Sequence, residues 1–199
     1  MRLKKLLLFI SVFLSPFLSI SNSYAIGPDI FVQSTVNRAS QALDNKFTKD
    51  EKIKKLKLIA KETVDINGIG LYTLGAHRKN ASADQINQYL VLFEQYFLKS
   101  FASRLAEYSN PEIEVRSKNK LNNNYTMVSS VLVATDQRPE VKINWRIYTK
   151  NPENLLIRDL IIEGLSLART QKEEFSSIIQ SNDGDINALF VILKEFAKN

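Results

Sequence analysis

Two carboxylates, Asp159 and Glu163, are the side chains best placed in the sequence for acid–base chemistry. Both lie on a predicted strand and, as odd-numbered residues, share one of its faces. A carboxylate held in a cavity against a curved sheet can act as a general base, as in small isomerases. We favour the alternative that both are exposed to solvent or paired with Arg146 or Arg158, because a sequence does not reveal a perturbed carboxylate.

Metal and nucleophile chemistry has little support in this chain. It contains no Cys and one His, which excludes disulfides, thiolate nucleophiles and Cys-ligated metals and leaves little for a His-based metal site. Neither an HExxH nor a GxSxG motif occurs, and no glycine-rich phosphate loop follows a strand. The one histidine, His77, stands in a polar stretch and could contact an anionic head group of a ligand, but we favour an exposed loop residue.

The N-terminus has the pattern of a secretory signal peptide. Arg2, Lys4 and Lys5 precede an apolar run from residue 6 to 14, and a small-x-small pattern ends at Ala25. A membrane anchor is the alternative, but the run is too short to span a bilayer. We therefore predict a signal peptide over 1–25, a single domain over 26–199, and export to the periplasm.

The charge of the predicted mature chain argues against nucleic-acid binding. The full chain carries 27 basic and 21 acidic residues, for a net charge of +6. Cleavage after Ala25 would remove three cations and no anion, which lowers the net charge to +3. Nucleic-acid binding requires a concentrated basic surface. The basic residues that cluster here form one face of a predicted helix, which is either solvated or docks on an acidic partner or membrane surface: Lys54, Lys55, Lys57 and Lys61.

Capping boxes predict where three helices begin. The pairs are Thr48 with Glu51, Ser82 with Gln85, and a third that starts at Thr170. Apolar residues also predict a helix near residues 29–43, a short one from 65 to 74 that Gly75 ends, and a last one that begins near residue 183. The helix after Ser82 carries an aromatic stripe at helical spacing, formed mainly by Phe93, Phe97 and Phe101.

The middle of the chain alternates apolar and polar residues, which is typical of strands. We predict strands around 113–115 and over 125–134, 141–147 and 155–163, separated by turns rich in Asn, Asp and Pro. Short connections require antiparallel pairing, so these form a four-stranded meander. Helices on both sides of a meander predict an α+β fold.

The apolar faces of the predicted sheet and helices either close into a core or enclose a pocket. Periodicity does not distinguish these outcomes. If a pocket exists, the predicted lining residues are those on the apolar faces, namely Leu71, Leu74, Phe93, Phe97, Phe101, Val131, Val133, Val141, Ile143, Trp145 and Ile161.

Several ordered motifs resemble those of the MlaC, or toluene-tolerance, family. The segment 155–175 is similar to the family's Asp-x-x-x-Glu-Gly-Val-Ser block and its following Gln-x-x-Glu-aromatic segment. Upstream, Leu74-Gly75 and residues 81–85 resemble the Leu-Gly and small-residue segment before the family's long helix, and Trp145 stands at the strand tryptophan. The residues that carry the main match are Asp159, Glu163, Gly164, Leu165, Ser166, Gln171, Glu174 and Phe175.

The chain departs from the family pattern at two positions. Arg78 stands where many members have an aromatic residue, and Phe101 stands where a Tyr is common. Both changes would alter polar detail near the predicted loop or pocket and leave the apolar lining unchanged.

This resemblance implies a non-enzymatic, monomeric carrier of phospholipid in the periplasm of Gram-negative bacteria, with no cofactor. It implies helices on a curved sheet, acyl chains in an apolar cavity and the head group near solvent. The implied partners are an outer-membrane lipoprotein–porin complex and an inner-membrane ABC transporter with a hexameric lipid-binding component. The alternatives are a secreted enzyme that acts on a hydrophobic substrate with a cavity carboxylate, and an interaction protein with a fully packed core.

Overall fold

The structure is a computed structural model that describes residues 26–136 and 138–198. The predicted signal peptide over 1–25 lies outside these residues. Within the described part, no helix combines the length and apolarity needed to cross a bilayer. The helices are α1 Pro28–Ala42, α2 Lys49–Thr63, α3 Ile66–Leu74, α4 Ala83–Leu105, α5 Leu167–Gln180 and α6 Ile186–Lys198, with a 3-10 helix over Gly75–Lys79. The strands are β1 Ile113–Lys120, β2 Tyr125–Leu132, β3 Val141–Tyr148, β4 Leu156–Ile162 and β5 Leu165–Ser166.

The predicted α+β fold with a four-stranded antiparallel meander is confirmed. Neighbouring strands pair in chain order, from β1 to β5, and every pair is antiparallel. The short β5 was not predicted. It returns from β4 through Glu163 and Gly164, which have φ angles of 48° and 87°. Positive φ at both central residues is the geometry of a tight two-residue hairpin turn.

Two of the three predicted capping boxes are present. The Thr48 hydroxyl accepts a hydrogen bond from the backbone N–H of Glu51, whose carboxylate accepts one from the N–H of Thr48. Ser82 and Gln85 make the same reciprocal pair at the start of α4. A side-chain cap of this kind stabilises a helix by about 1 kcal/mol.

The third predicted box, at Thr170, is wrong. Helix α5 begins at Leu167, because Ser166 is its N-cap and its hydroxyl accepts from the N–H of Arg169 at 3.1 Å. Asp159 of β4 satisfies a second free donor by accepting from the N–H of Ala168 at 3.1 Å. The start of α5 is therefore set by the Ser166 cap together with Asp159, a residue of another element, and not by Thr170.

One face of the sheet carries the main core. The helices cover the side on which Val128 lies opposite Trp145, and Ile147 follows on the same face. Helices α1, α3 and α5 lie directly against strands, whereas the main neighbours of α4 are α2, α3 and α6. The α4 backbone is thus in an outer layer, and its long aromatic side chains reach into the core cluster.

Candidate functional site

The predicted lining residues include a group that the structure brings together between the helices and the sheet. Leu74 and Phe93 are each 1% exposed, Trp145 is 8% exposed and Ile143 is 9% exposed, and all four belong to one contiguous apolar cluster. Residues this deeply buried touch other protein atoms on nearly all sides. In this conformation they form core, and the enclosed apolar cavity expected from the resemblance stays a prediction.

The aromatic stripe of α4 changes character along its length. Phe93 is fully buried and makes an edge-to-face contact with Phe175 of α5. Phe97 and Phe101 are half-buried and stack on each other with ring centroids 5.6 Å apart and planes 8° apart. They pack against the core cluster without being enclosed by it.

The core face of the sheet is closed at one end, which we call the sealed end. Val128 and Ile147 are 0% exposed, and Ile157 beside Ile147 is 4% exposed. Trp145 lies opposite Val128 on this face, and its indole N–H donates to the Ser130 hydroxyl at 2.8 Å, so the polar atom of this buried ring is satisfied. The sealed end consists of Thr126, Val128, Trp145, Ile147 and Ile157.

The other end of the same face, which we call the open end, leaves apolar side chains half-buried. Here Val141 follows Leu132 and Ile113 across the sheet, and the next row runs from Val115 through Ser130 and Ile143 to Ile162. Of the residues in these two rows, the predicted lining included only Val141 and Ile143, although the alternation of Ile113 and Val115 with charged residues was a usable signal for this face. The half-buried apolar residues of the open end are Ile113, Val115, Val141 and Ile162.

Three predicted lining residues lie elsewhere. Val131 pairs with Lys142 and Ile161 pairs with Asn144, so both are on the sheet face opposite Ile143 and away from the helices. Residues directly opposite each other in an antiparallel pair share a face. In β2 it is therefore the even-numbered residues that face the helices. Val133 lies beyond the end of β2, where its N–H donates to the Glu112 carbonyl at 2.9 Å.

The buried hydroxyl of Tyr89 is a further polar group in the core that sequence reasoning did not single out. Tyr89 is 0% exposed, and its hydroxyl lies 2.8 Å from that of Thr73 on α3. Burial raises the pKa of Tyr89 far above its usual value. The pair joins α3 to α4 through a satisfied hydrogen bond and stays neutral, which is a structural role.

The two candidate carboxylates do not form a catalytic pair. Asp159 is 4% exposed, so its expected solvent exposure or ion pairing is wrong; it accepts from the Ser166 hydroxyl at 2.7 Å as well as from Ala168. Glu163 is exposed at the β4–β5 turn and accepts from the N–H of Lys142. Neither carboxylate lines the pockets described below.

Two pockets open on the surface of the described part of the molecule. One, of about 260 Å³, lies near Phe31, Glu62 and Leu155. The other, of about 460 Å³, lies between α3, the 3-10 helix, β4 and α5, and we call it the basic pocket. Leu71, the remaining residue of the predicted lining, lines this pocket. The other lining residues include Tyr72, Arg78, Lys79, Arg158 and Lys172.

His77 stands beside the basic pocket and is not the exposed loop residue that we favoured. It is half-buried within the 3-10 helix, and its Nε2 lies 3.2 Å from the Ser176 hydroxyl of α5.

The described residues contain no group of three or more His, Cys, Asp or Glu side chains that could hold a metal ion.

Comparisons with known proteins agree with this architecture. The family model described as "MlaC protein" matches residues 32–195. Among solved structures, a phospholipid-binding protein from Ralstonia solanacearum in complex with a phospholipid superposes with a TM-score of 0.72 and 18% sequence identity. The alignment covers 87% of this chain and 98% of that one, so the two share their fold. No curated protein matches this chain.

Proposed function

Because this chain belongs to the MlaC family, we propose that it is a non-enzymatic periplasmic carrier that binds phospholipid and moves it between membrane complexes. The observation that carries the proposal is the family match across 32–195, which includes every helix and strand apart from the ends of α1 and α6. The family is periplasmic, which supports the predicted export. The proposed partners are those that the family implies: an outer-membrane lipoprotein–porin complex and an inner-membrane ABC transporter with its hexameric lipid-binding component.

The physical problem that such a carrier solves is the exposure of acyl chains to water. Each methylene costs about 0.8 kcal/mol to expose. Two chains with roughly thirty methylenes therefore cost more than about 20 kcal/mol, which blocks spontaneous crossing of an aqueous gap. A carrier must replace the bilayer with apolar side chains, and it needs neither a nucleophile nor a metal to do so.

The acyl chains are proposed to lie between the open end of the sheet and the aromatic stripe of α4. Half-buried Val141 and Ile162 lie on the sheet side, and half-buried Phe97 and Phe101 lie on the helix side. The main backbone neighbours of α4 are other helices, so side chains fill the space between α4 and the sheet. Side chains can rotate away and exchange protein–protein contacts for protein–lipid contacts.

Binding of two chains requires this space to widen. The described surface pockets have volumes of about 260 and 460 Å³, and neither is lined by the aromatic stripe or by the half-buried residues of the open end. A ligand shifts a conformational equilibrium by as much as it prefers one state over another. The apolar surface of the acyl chains would provide that preference for a widened state.

The first prediction tests the location of the chains. Phe97→Asp should abolish co-purified phospholipid, because a buried charge next to acyl chains is strongly unfavourable. The measurement is mass spectrometry of an organic extract of purified protein. Ile143→Asp on the facing strand should have the same effect.

The matched control for the first prediction is Val91→Asp on the same helix. Val91 is 59% exposed, so a charge there should leave the bound lipid unchanged. Circular dichroism of all variants separates lost lipid from lost folding. Lipid that remains bound to folded Phe97→Asp and Ile143→Asp would place the acyl chains elsewhere.

A second candidate function is favoured by the burial of Leu74, Phe93, Ile143 and Trp145. Such packing suits an interaction protein that carries no ligand. The same extract decides between the two functions, because two-chain phospholipid in the wild-type protein supports the carrier. A lipid-free extract, together with failure to take up lipid from vesicles, supports the interaction protein.

A further inference from the structure

The basic pocket concentrates positive charge in a concave site. Arg78 and Lys79 come from the 3-10 helix, Arg158 from β4 and Lys172 from α5. The residues that line it include no carboxylate. Four cations from three separate elements thus line one pocket of about 460 Å³. This arrangement concentrates charge in one place, unlike lysines spread along the face of a single helix.

Two glycines allow the cations to approach. A Cβ on Gly68 would lie 2.6 Å from the Arg158 guanidinium carbon, and a Cβ on Gly75 would lie 2.9 Å from Lys172 Cε. Gly75 also has a φ of 58°, which other residues rarely adopt. Glycine is costly within a helix, and at position 68 the close approach of Arg158 and of the Asp65 carboxylate accounts for it.

Most of this charge has no counterion. Arg158 pairs with Asp65, whose carboxylate also accepts from the N–H of Gly68. Among the residues that the structure describes, Arg78, Lys79 and Lys172 have no carboxylate within ion-pair distance. The Arg158 Nε is buried and has no hydrogen-bond partner. Lys172 is held over the Tyr72 ring, 5.4 Å from its centroid, by a cation–π contact that leaves its charge uncompensated.

We propose that the basic pocket binds a phosphate-ester group, and that its source is the head group of the carried lipid. Arginine forks match two phosphate oxygens at once, and lysines add point charge. One pocket that contains both types is therefore suited to a phosphate. The assignment to the head group rests on the proposed carrier function.

The position of the pocket agrees with that source. Leu71 lines the pocket, whereas Leu74, one turn further along α3, lies in the core. Strand β4 carries both Arg158 and Ile162, which are about 13 Å apart at the usual rise of a strand. Arg158 directly follows Ile157 of the sealed end, so a phospholipid with its phosphate at Arg158 would extend its chains along β4 toward the open end.

The test compares two lipids that differ by the phosphoglycerol head group. Wild-type protein is incubated with vesicles that contain phosphatidylglycerol or diacylglycerol with the same chains, and the retained lipid is measured by mass spectrometry. We expect wild type to prefer phosphatidylglycerol by at least about tenfold. The double variant Arg78→Gln/Lys172→Gln should lose this preference and retain diacylglycerol uptake.

The matched control is Lys120→Gln/Lys150→Gln, which removes the same charge from two exposed positions outside the pocket. It should keep the wild-type preference. An unchanged preference in Arg78→Gln/Lys172→Gln overturns the assignment to the head group. Equal loss in the control variant also overturns it, since net charge alone would then account for the effect.

A phosphate titration followed by ³¹P NMR tests the pocket independently of lipid. Broadening of the inorganic phosphate signal by wild type but not by Arg78→Gln/Lys172→Gln supports the anion site, even if no lipid binds and the carrier proposal fails. Absence of broadening with wild type overturns a free-phosphate site. If the variant loses phosphate binding but keeps the lipid preference, the pocket binds free phosphate and the head-group assignment is wrong.

Discussion

The two ends of one sheet face differ in how completely the helices cover them. At the sealed end, Val128 and Ile147 are fully buried and the Trp145 N–H is satisfied by Ser130. At the open end, Val141 and Ile162 keep part of their apolar surface in contact with water. The same strands cross both ends, so the difference comes from what the helices place against them.

The comparison assigns different roles to the two ends. The sealed end holds the helices on the sheet, whereas the open end can exchange its contacts. Close-packed side chains lose dispersion and transfer energy when they separate. Half-buried side chains lose less of this energy when they separate, and contacts with an apolar ligand can replace it. A carrier built this way can open one end without unfolding the other.

The largest effect expected is a loss of stability at the buried part of the α4 stripe. Phe93→Ala should lower the free energy of unfolding by about 3–5 kcal/mol, because it leaves a cavity beneath Tyr89 and Phe175. Phe97→Ala, one turn away and half-buried, should cost less than half as much. Urea denaturation of both variants measures the difference. Equal losses of stability in the two variants would remove the distinction between the buried and the half-buried part of the α4 stripe.

An intermediate effect is expected at the Thr73–Tyr89 hydrogen bond. Thr73→Val should destabilise the protein by about 1–3 kcal/mol, because it leaves the buried tyrosine hydroxyl without a partner. The double variant Thr73→Val/Tyr89→Phe removes both polar groups and should recover most of that loss. Denaturation of wild type, Thr73→Val, Tyr89→Phe and the double variant gives the coupling free energy between the two side chains. A double variant as unstable as Thr73→Val would show that packing, and not the unpaired hydroxyl, causes the loss.

The smallest effect concerns the ion pair that joins α1 to the sheet near the sealed end. Lys118 lies opposite Val128 in the β1–β2 pairing and donates to Asp29 at 2.7 Å. This hydrogen bond holds the pKa of Asp29 below its usual value. Because both side chains are substantially exposed, Lys118→Met should cost no more than about 0.5 kcal/mol at pH 7.

The pH dependence of this pair has a definite sign. A carboxylate with a lowered pKa stabilises the folded state above the unfolded pKa, near 3.9, and the effect is lost as pH falls through the folded value. The stability difference between wild type and Lys118→Met should therefore be constant from pH 7 to pH 5 and vanish in stronger acid. A difference that grows below pH 4 would contradict the assignment.

Much of the fold was predictable because its signals are local. The capping boxes at Thr48 and Ser82 depend on residues three apart, and Gly75 ends α3 at the predicted position. Alternation in β3 placed Ile143, Trp145 and Ile147 on one face, as observed. The start of α5 was missed because its N-terminal donors are satisfied by Ser166 and by Asp159, a residue of another element.

The candidate site was predicted only in part, for a related reason. Alternation in β2 is as clear as in β3, but it does not tell which of its two faces meets the helices. The register pairs Ser130 with Ile143, which turns Val131 to the other side and brings Leu132 into the core. Of the basic pocket, only Leu71 was predicted as a lining residue, since the cations of the pocket come from positions 78 to 172 and no local pattern relates them.

The sequence by itself determined the class of the fold, the order of its elements and the resemblance that identified the family, because these depend on periodicity, caps and short motifs. Only the tertiary structure decided which strand faces join, which end of the sheet stays half-covered and which cations share a pocket. Those outcomes depend on strand register and helix placement, which arise from contacts between residues far apart in the chain.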